Sequence, residues 1–245
     1  MTLLQMVQDI LYDMDSFEVD SIADVVEARQ VASIIQSTYY NIITRANLPE
    51  HQKIFSLTAS GDDDLPILMY RPDSVAKIDW IQYNTSEDTE LDYNYVTIVP
   101  LEQFISLTKF NTEDDDVNTC TIDGQTYLFK TADAPKYCTI LKNYYILFDA
   151  YNSAVDTTLQ ASKTKCFGLT IPDFDLTDSF IPDLDDTQFP LLLNEAKSTA
   201  FLRMKQMVDN SSVRESKRQW NTLSGGKNVN KGSTDFDLLP TFGRK

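Results

Sequence analysis

The side chains that usually carry chemistry are sparse in this sequence and badly placed for it. There is one histidine, His51, in the whole chain, which rules out any site needing two imidazoles. Its position between an expected helix end and an expected strand predicts an exposed loop residue. The three cysteines, Cys120, Cys138 and Cys166, have no metal-ligand spacing. They fall in expected strands, where a free cysteine behaves as a small apolar residue. The acidic runs Asp62–Asp64 and Asp114–Asp116 lack the alternating ligands and closing glutamate of a calcium loop, and read as solvated loop acid. No glycine-rich phosphate loop is present, and no serine or cysteine sits in a nucleophile elbow. The expectation is a protein that is not an enzyme, with no cofactor and no metal.

With catalysis set aside, the chain is organised by its longest periodic stretch, Asp186 to Leu223. From Leu191 to Trp220 there is neither proline nor glycine. Phe189, Leu192, Leu193, Ala196, Ala200, Met204, Met207 and Val208 recur at three and four residues, the period of an amphipathic helix. Asp186 or Thr187 can cap its start, and Pro190 is tolerated in the first turn. Gly225 and Gly226 are expected to end it. As one helix this stretch would span roughly 50 Å. Its second half, Val213 to Trp220, is polar and basic, and outruns any core the first half builds. Arg214, Lys217, Arg218 and Trp220 are therefore expected to meet a neighbouring subunit. The plainer alternative is a solvated, fraying helix end.

Two helices open the chain. Thr2 to Met14 has a broad apolar face of Leu3, Leu4, Met6, Val7, Ile10, Leu11 and Met14, with Thr2 as cap. Asp24-Val-Val-Glu27 reads as a capping box before a helix to about Ala46. That helix has Ala28, Val31, Ala32, Ile35, Tyr39 and Ile42 on one face and is stopped by Asn47-Leu48-Pro49. From Gln52 to about Ile171 the pattern changes to short apolar runs and turn signals. Expected strands are 52–58, 75–83, 93–99, 117–122, 126–130, 139–141, 144–151 and 157–169. Asp123-Gly124 marks a two-residue hairpin, and Lys142-Asn143 marks another. Pro100 to Leu107 reads as a short helix with proline at its start. Ile171 to Leu184 is acidic and irregular.

The three helical stripes need one another, since none can be buried alone. The reading is α+β: a helical bundle of 1–50 with 183–223, a β-rich inserted domain at 51–171, a linker at 172–182, and a long C-terminal helix followed by an extended tail. Leu11, Val31, Ile35, Leu192, Ala196 and Ala200 are expected to share the bundle core. The strands are rich in aromatics, among them Trp80, Tyr83, Tyr93 and Tyr95, which suit cross-strand pairs or a ligand-binding face.

The 245 residues carry a formal charge of −16, unevenly spread. From Arg214 onward there are seven basic and three acidic residues, so that stretch is +4 and the remainder −20. An acidic body argues against general binding to nucleic acid or anionic lipid. No apolar run approaches the ~20 residues of a membrane span. Residues Met1 to Leu11 lack a basic n-region and carry Asp9, so no secretory signal is expected and synthesis in a cytoplasm is. At the other end, 224–245 has linker composition first and then an apolar cluster, Phe236, Leu238, Leu239 and Phe242, beside a basic terminus. It reads as a flexible docking tail for another subunit, or as a tail that folds back on its own domain.

The order of these elements resembles a known family. Leu3–Met14, a short link, and Val25-Val-Glu-Ala-Arg-Gln-Val-Ala-Ser-Ile-Ile-Gln36 resemble the opening of head-to-tail adaptor (connector, or neck) proteins of tailed bacteriophages. Leu191-Leu-Leu-Asn-Glu-Ala-Lys197 and a long helix ending in Arg218-Gln-Trp220 are similar to their close. Adaptors of short-tailed phages likewise interrupt a helical bundle with a β-rich region. The resemblance covers roughly 100 residues of helix. It implies a virion structural protein made in the host cytoplasm, forming a ring, typically a dodecamer, under the portal protein. Such a ring extends the DNA channel, lets DNA pass without specific binding, and offers a platform to a downstream tail or nozzle protein. The alternative is another non-catalytic phage protein, a tail, tube or adhesin module, with the aromatic β domain as its ligand-binding part.

Overall fold

Thr2 starts the first helix as a capping residue should. Its hydroxyl accepts from the Gln5 N–H while the Gln5 amide oxygen accepts from the Thr2 N–H, a reciprocal capping box. A computed structural model describes residues 1–86, 92–111 and 113–230. They form helices and strands together, an α+β protein. The chain divides into two compact units, one made of Met1–Asn47 with the chain from Asp173 onward, the other of Leu48–Pro172.

The first unit holds helices α1 (Leu3–Asp13) and α2 (Val26–Ala46) from the start of the chain, with α4 (Phe189–Ala200) and α5 (Asn210–Asn230) from its end. The second holds the short helix α3 (Leu101–Leu107) and all the strands among the described residues. In the first unit, α1 packs on α2 and on α4, and α4 also packs on α2 and on α5. Leu11, Val31, Ile35, Leu192, Ala196 and Ala200 are each at most 1 % exposed. The left-handed Asn47 (φ 49°) closes α2, its N–H returning to the Ile43 carbonyl. The start of α2 departs from expectation. No side chain caps it: the Asp24 carboxylate takes the N–H groups of Asp20 and Ser21, and Glu27 takes the Ser16 hydroxyl. Both acids are engaged by the link between α1 and α2 instead.

The acidic stretch before α4 has no regular structure but is not a mere tether. Its carbonyls at Asp178 and Phe180 accept the free N–H groups of Leu4 and Leu3 at the start of α1. Phe174 lies between Tyr39 and Phe180, with ring centroids 5.2 and 4.5 Å away.

The expected 50 Å helix is the main correction. After Ala200 the chain makes a π-helical turn, Phe201–Lys205, then reverses at Gln206, whose φ is +54°. α5 packs back on α4 as a helical hairpin. The restart is set by Asp209, whose carboxylate accepts the Ser211 N–H and the Ser212 hydroxyl. Met207 and Val208, expected on the apolar seam, lie at the turn with 65 % and 61 % exposure. Gly225 and Gly226 do not stop α5, which runs to Asn230. Glycine weakens a helix by about 1 kcal/mol but, unlike proline, removes no hydrogen bond.

In the second unit, strands β1 (Gln52–Phe55), β2 (Thr58–Ala59), β3 (Leu68–Tyr70), β4 (Val75–Asn84), β5 (Tyr93–Ile98), β8 (Tyr137–Leu141), β9 (Tyr145–Phe148) and β10 (Thr164–Thr170) form one sheet. Its order is β1-β10-β4-β5-β8-β9-β3-β2, antiparallel except for β5 beside β8. β1 and β2 sit at its two ends yet are joined only by Ser56 and Leu57, so the sheet is curled. β6 (Val117–Ile122) and β7 (Gln125–Lys130) make a separate hairpin whose turn residues Asp123 and Gly124 have φ of 52° and 77°. Lys142 and Asn143, with φ of 50° and 58°, turn β8 into β9 in a loop one residue longer, since Leu141 pairs with Tyr145 and Tyr144 also lies in the turn.

Two expectations fail here. The run 157–169 forms a strand only from Thr164, because Ala161–Lys163 makes a 3-10 turn first. β3 lies outside the expected strands, since its apolar run is only a few residues long. β4 and β10 cross at a bulge so tight that a Cβ on Gly168 would stand 2.0 Å from the Lys77 carbonyl oxygen.

Candidate functional site

The residues singled out on chemical grounds fall into the sheet unit without forming a centre. Cys120, Cys138 and Cys166 are buried on β6, β8 and β10. Burial pushes the Cys120 thiol up to about 11 and that of Cys166 up to about 12, and raises Cys138 too. A thiol so displaced is not a nucleophile at neutral pH. His51 is buried rather than exposed, because the 3-10 turn Pro49–His51 folds it inward before β1. The acidic run at Asp62–Asp64 is an exposed turn in which the Asp62 carboxylate accepts the Asp64 N–H. Among the described residues, no three His, Cys, Asp or Glu side chains gather as metal ligands would.

The surface best built for contact is the α4–α5 hairpin. Trp220 on α5 is half-buried. Its indole N–H donates to the Glu195 carboxylate on α4, and the Arg45 guanidinium from the last turn of α2 lies 4.5 Å from its ring centre. One residue before each of these partners, the Asn194 amide donates to the Gln219 side-chain oxygen at 3.3 Å. Arg45, Glu195, Ser198, Val213, Ser216, Lys217, Trp220 and Asn221 line an open cavity of about 430 Å³ beside this latch. The buried positions of α5 include Ser212 and Ser216, small and polar, so the hairpin closes on hydrogen bonds and one aromatic anchor.

The four expected inter-subunit residues are thereby separated. Trp220 is engaged within its own chain. Lys217 lines the cavity beside the latch, Arg214 is exposed, and Arg218 is exposed with Glu215 3.9 Å away. The expected docking residues Phe236, Leu238, Leu239 and Phe242 lie outside the described residues.

Sequence reasoning misses Arg45, Glu195 and Asp209. Asp209-Asn-Ser-Ser212 is the signal that could have found the hairpin, since it is a helix-start cluster in the middle of an otherwise unbroken pattern. Asp209 is held below the usual carboxylate range by the Ser212 hydroxyl and the N–H groups of Ser211 and Ser212.

No protein-family model and no curated protein matches this sequence.

Aromatic side chains also cross the curled sheet. Trp80 on β4 pairs with Phe167 on β10, their rings 5.7 Å apart and 16° from parallel, and meets Tyr95 on β5 edge-on at 5.9 Å. Ile54 and Tyr95, at the ends of this row, are 61 % and 67 % exposed. Among the described residues, no helix is long and apolar enough to cross a membrane.

Proposed function

We propose that this chain is a head-to-tail adaptor of a tailed phage, a virion structural protein that forms a ring beneath the portal. The observation that carries the reading is the division of the chain. Its first 47 residues and the residues from Asp173 on belong to one helical unit, and the strand-rich middle folds by itself. In this reading the unit of 1–50 with 183–223 is a helical bundle, 51–171 is a domain inserted in it, 172–182 links them, and 224–245 is the docking tail.

Rings use heterologous contacts, the front of one copy against the back of the next. The bases Arg214, Lys217 and Arg218 suit such a contact, since the remainder of each copy is −20. The same acidity suits a conduit that DNA passes without adhering. The portal lies above the ring and a tail or nozzle protein below it.

The test is assembly. Burying Phe236, Leu238, Leu239 and Phe242 is worth at most ~1.5–3 kcal/mol each before the cost of ordering the tail. Twelve such tails act together through avidity. Light scattering of the protein mixed with a portal ring should show a complex with the full chain. Removing Asp235–Lys245, or pairing Phe236→Ala with Phe242→Ala, should abolish or sharply weaken it while leaving the melting temperature nearly unchanged. Normal assembly of the truncated chain would dismiss the docking arm, and absence of any complex with the full chain would count against the adaptor.

The second reading is a non-catalytic tail, tube or adhesin module. The row from Ile54 through Phe167 and Trp80 to Tyr95, exposed at both ends, favours it, with that face as the ligand-binding part.

A further inference from the structure

The hairpin of α4 and α5 is built from a stretch that has the pattern of one helix. From Leu191 to Trp220 there is no proline and no glycine, so no helix-breaking residue forces the reversal. The reversal rests on Gln206, a residue with a Cβ in the left-handed region at φ +54°, behind a π-helical turn. At this turn Leu202, Met207 and Val208 are 57 %, 65 % and 61 % exposed. If 201–209 were helical instead, Met204, Met207 and Val208 would continue the seam of Leu192, Ala196 and Ala200 at the same three- and four-residue spacing. The face α5 presents to α4 is closed by Ser212 and Ser216, by the Asn194–Gln219 and Glu195–Trp220 hydrogen bonds, and by Arg45 over Trp220. Each of these contacts can be made identically by the α5 of another copy.

We infer that α5 is an exchangeable arm: it docks on α2 and α4 of its own chain in the single copy, and on α2 and α4 of a second copy of this chain in the assembled protein. The hinge is 201–209, which becomes helical when the arm crosses. Exchange of an identical element is a low-cost route to assembly, because the closed contacts are kept and only the hinge changes. The occupant is a second copy and not an unrelated protein because the latch is already fitted to this arm. Charge agrees with that choice, as the stretch from Arg214 onward is +4 and the body it meets is −20. The apolar residues of the turn then lie on exposed helix, where two crossing hinges can cover one another.

This inference stands on the hinge and needs no portal, so its test is separate from that of the adaptor reading. Full-length Asn194→Cys and Gln219→Cys proteins are mixed at high concentration and treated with a short bismaleimide. The native thiols are buried at 0–3 % exposure and stay out of the reaction. Arm exchange brings the thiol introduced at position 194 of one copy to the thiol introduced at position 219 of the other. Their cross-linked heterodimer should therefore exceed, several-fold, that of a control pair of Asn194→Cys with Tyr12→Cys, Tyr12 being 81 % exposed and on α1. Adding Gln206→Gly to both partners relieves the closed hinge and should lower the yield several-fold. A chain carrying both substitutions and cross-linked within itself should elute as a single copy at concentrations where the parent assembles. A yield no higher than the control pair, or one indifferent to Gln206→Gly, overturns the inference.

Discussion

Trp220→Ala offers the sharpest test of how the hairpin is held. The substitution removes the ring under Arg45, a contact of 4.5 Å, and such a partly buried cation–π pair is worth about 0.5–2 kcal/mol. It also removes the indole donor to Glu195. A hydrogen bond to a charged group contributes roughly 1.5–3 kcal/mol when buried, and the lower end applies to this half-exposed one. Together the docking of α5 should weaken by about 2–3.5 kcal/mol, or roughly 30- to 300-fold in its opening equilibrium. Because α5 otherwise buries Ser212 and Ser216, that loss should stay local. Native-state hydrogen exchange is the assay: amides of α5 lose protection by that factor, while those of α1 and α2 keep theirs. Trp220→Phe keeps a ring for Arg45 and should lose only part of it. Unchanged protection in α5 would refute the latch, and an equal loss across α1 and α2 would make Trp220 part of the common core.

Leu192→Ala truncates a fully buried side chain of α4 and should destabilise the helical unit by about 2–5 kcal/mol in thermal melting; a parent-like transition would discard the assigned face. Gly168→Ala drives a Cβ into the Lys77 carbonyl oxygen, a backbone atom that cannot rotate away. It should cost the sheet unit about 3 kcal/mol or more in urea unfolding, and a change under about 1 kcal/mol would mean the bulge relaxes freely. Asp149 has its carboxyl raised above the usual range, by burial first, although it accepts the N–H groups of Lys136 and Tyr137. A raised native pKa means the stabilising form is the protonated one. Its contribution is complete below the unfolded value of about 4 and is lost as pH climbs through the native value. Asp149→Asn keeps the acceptor and should flatten that decline in a series of melts from pH 4 upward; a decline as steep as the parent's would assign it to other groups.

Period and punctuation carry a sequence reading of this chain a long way. Helix α1 is legible to its cap, because Thr2 and Gln5 act on donors three residues off. Both hairpin turns are legible because they demand positive φ, and Asp123-Gly124 and Lys142-Asn143 supply residues that tolerate it. The faces of α2 and α4 follow from spacing alone. What is not legible depends on competition between local partners. Asp24 has two capping roles open to it and takes the turn behind it instead of the helix ahead. The break at Gln206 is hidden because periodicity says which side chains share a face, not whether the chain between them stays helical. His51 is misjudged because loop position does not fix burial. The Trp220 latch cannot be read at all, since Arg45 belongs to a helix at the other end of the sequence and only the packing of α2 and α4 brings it near.

The curl of the eight-stranded sheet bears on how copies of this protein can associate. An exposed strand edge is a template on which foreign backbone can hydrogen-bond, and so a route to amyloid-like stacking. Here the two end strands are among the shortest, four residues in β1 and two in β2, and Lys53 lies exposed on β1. Backbone pairing through these ends is thus nearly closed off. A crowded array of such sheets, side by side at high local concentration, would keep its strands to itself and leave recognition between molecules to side chains.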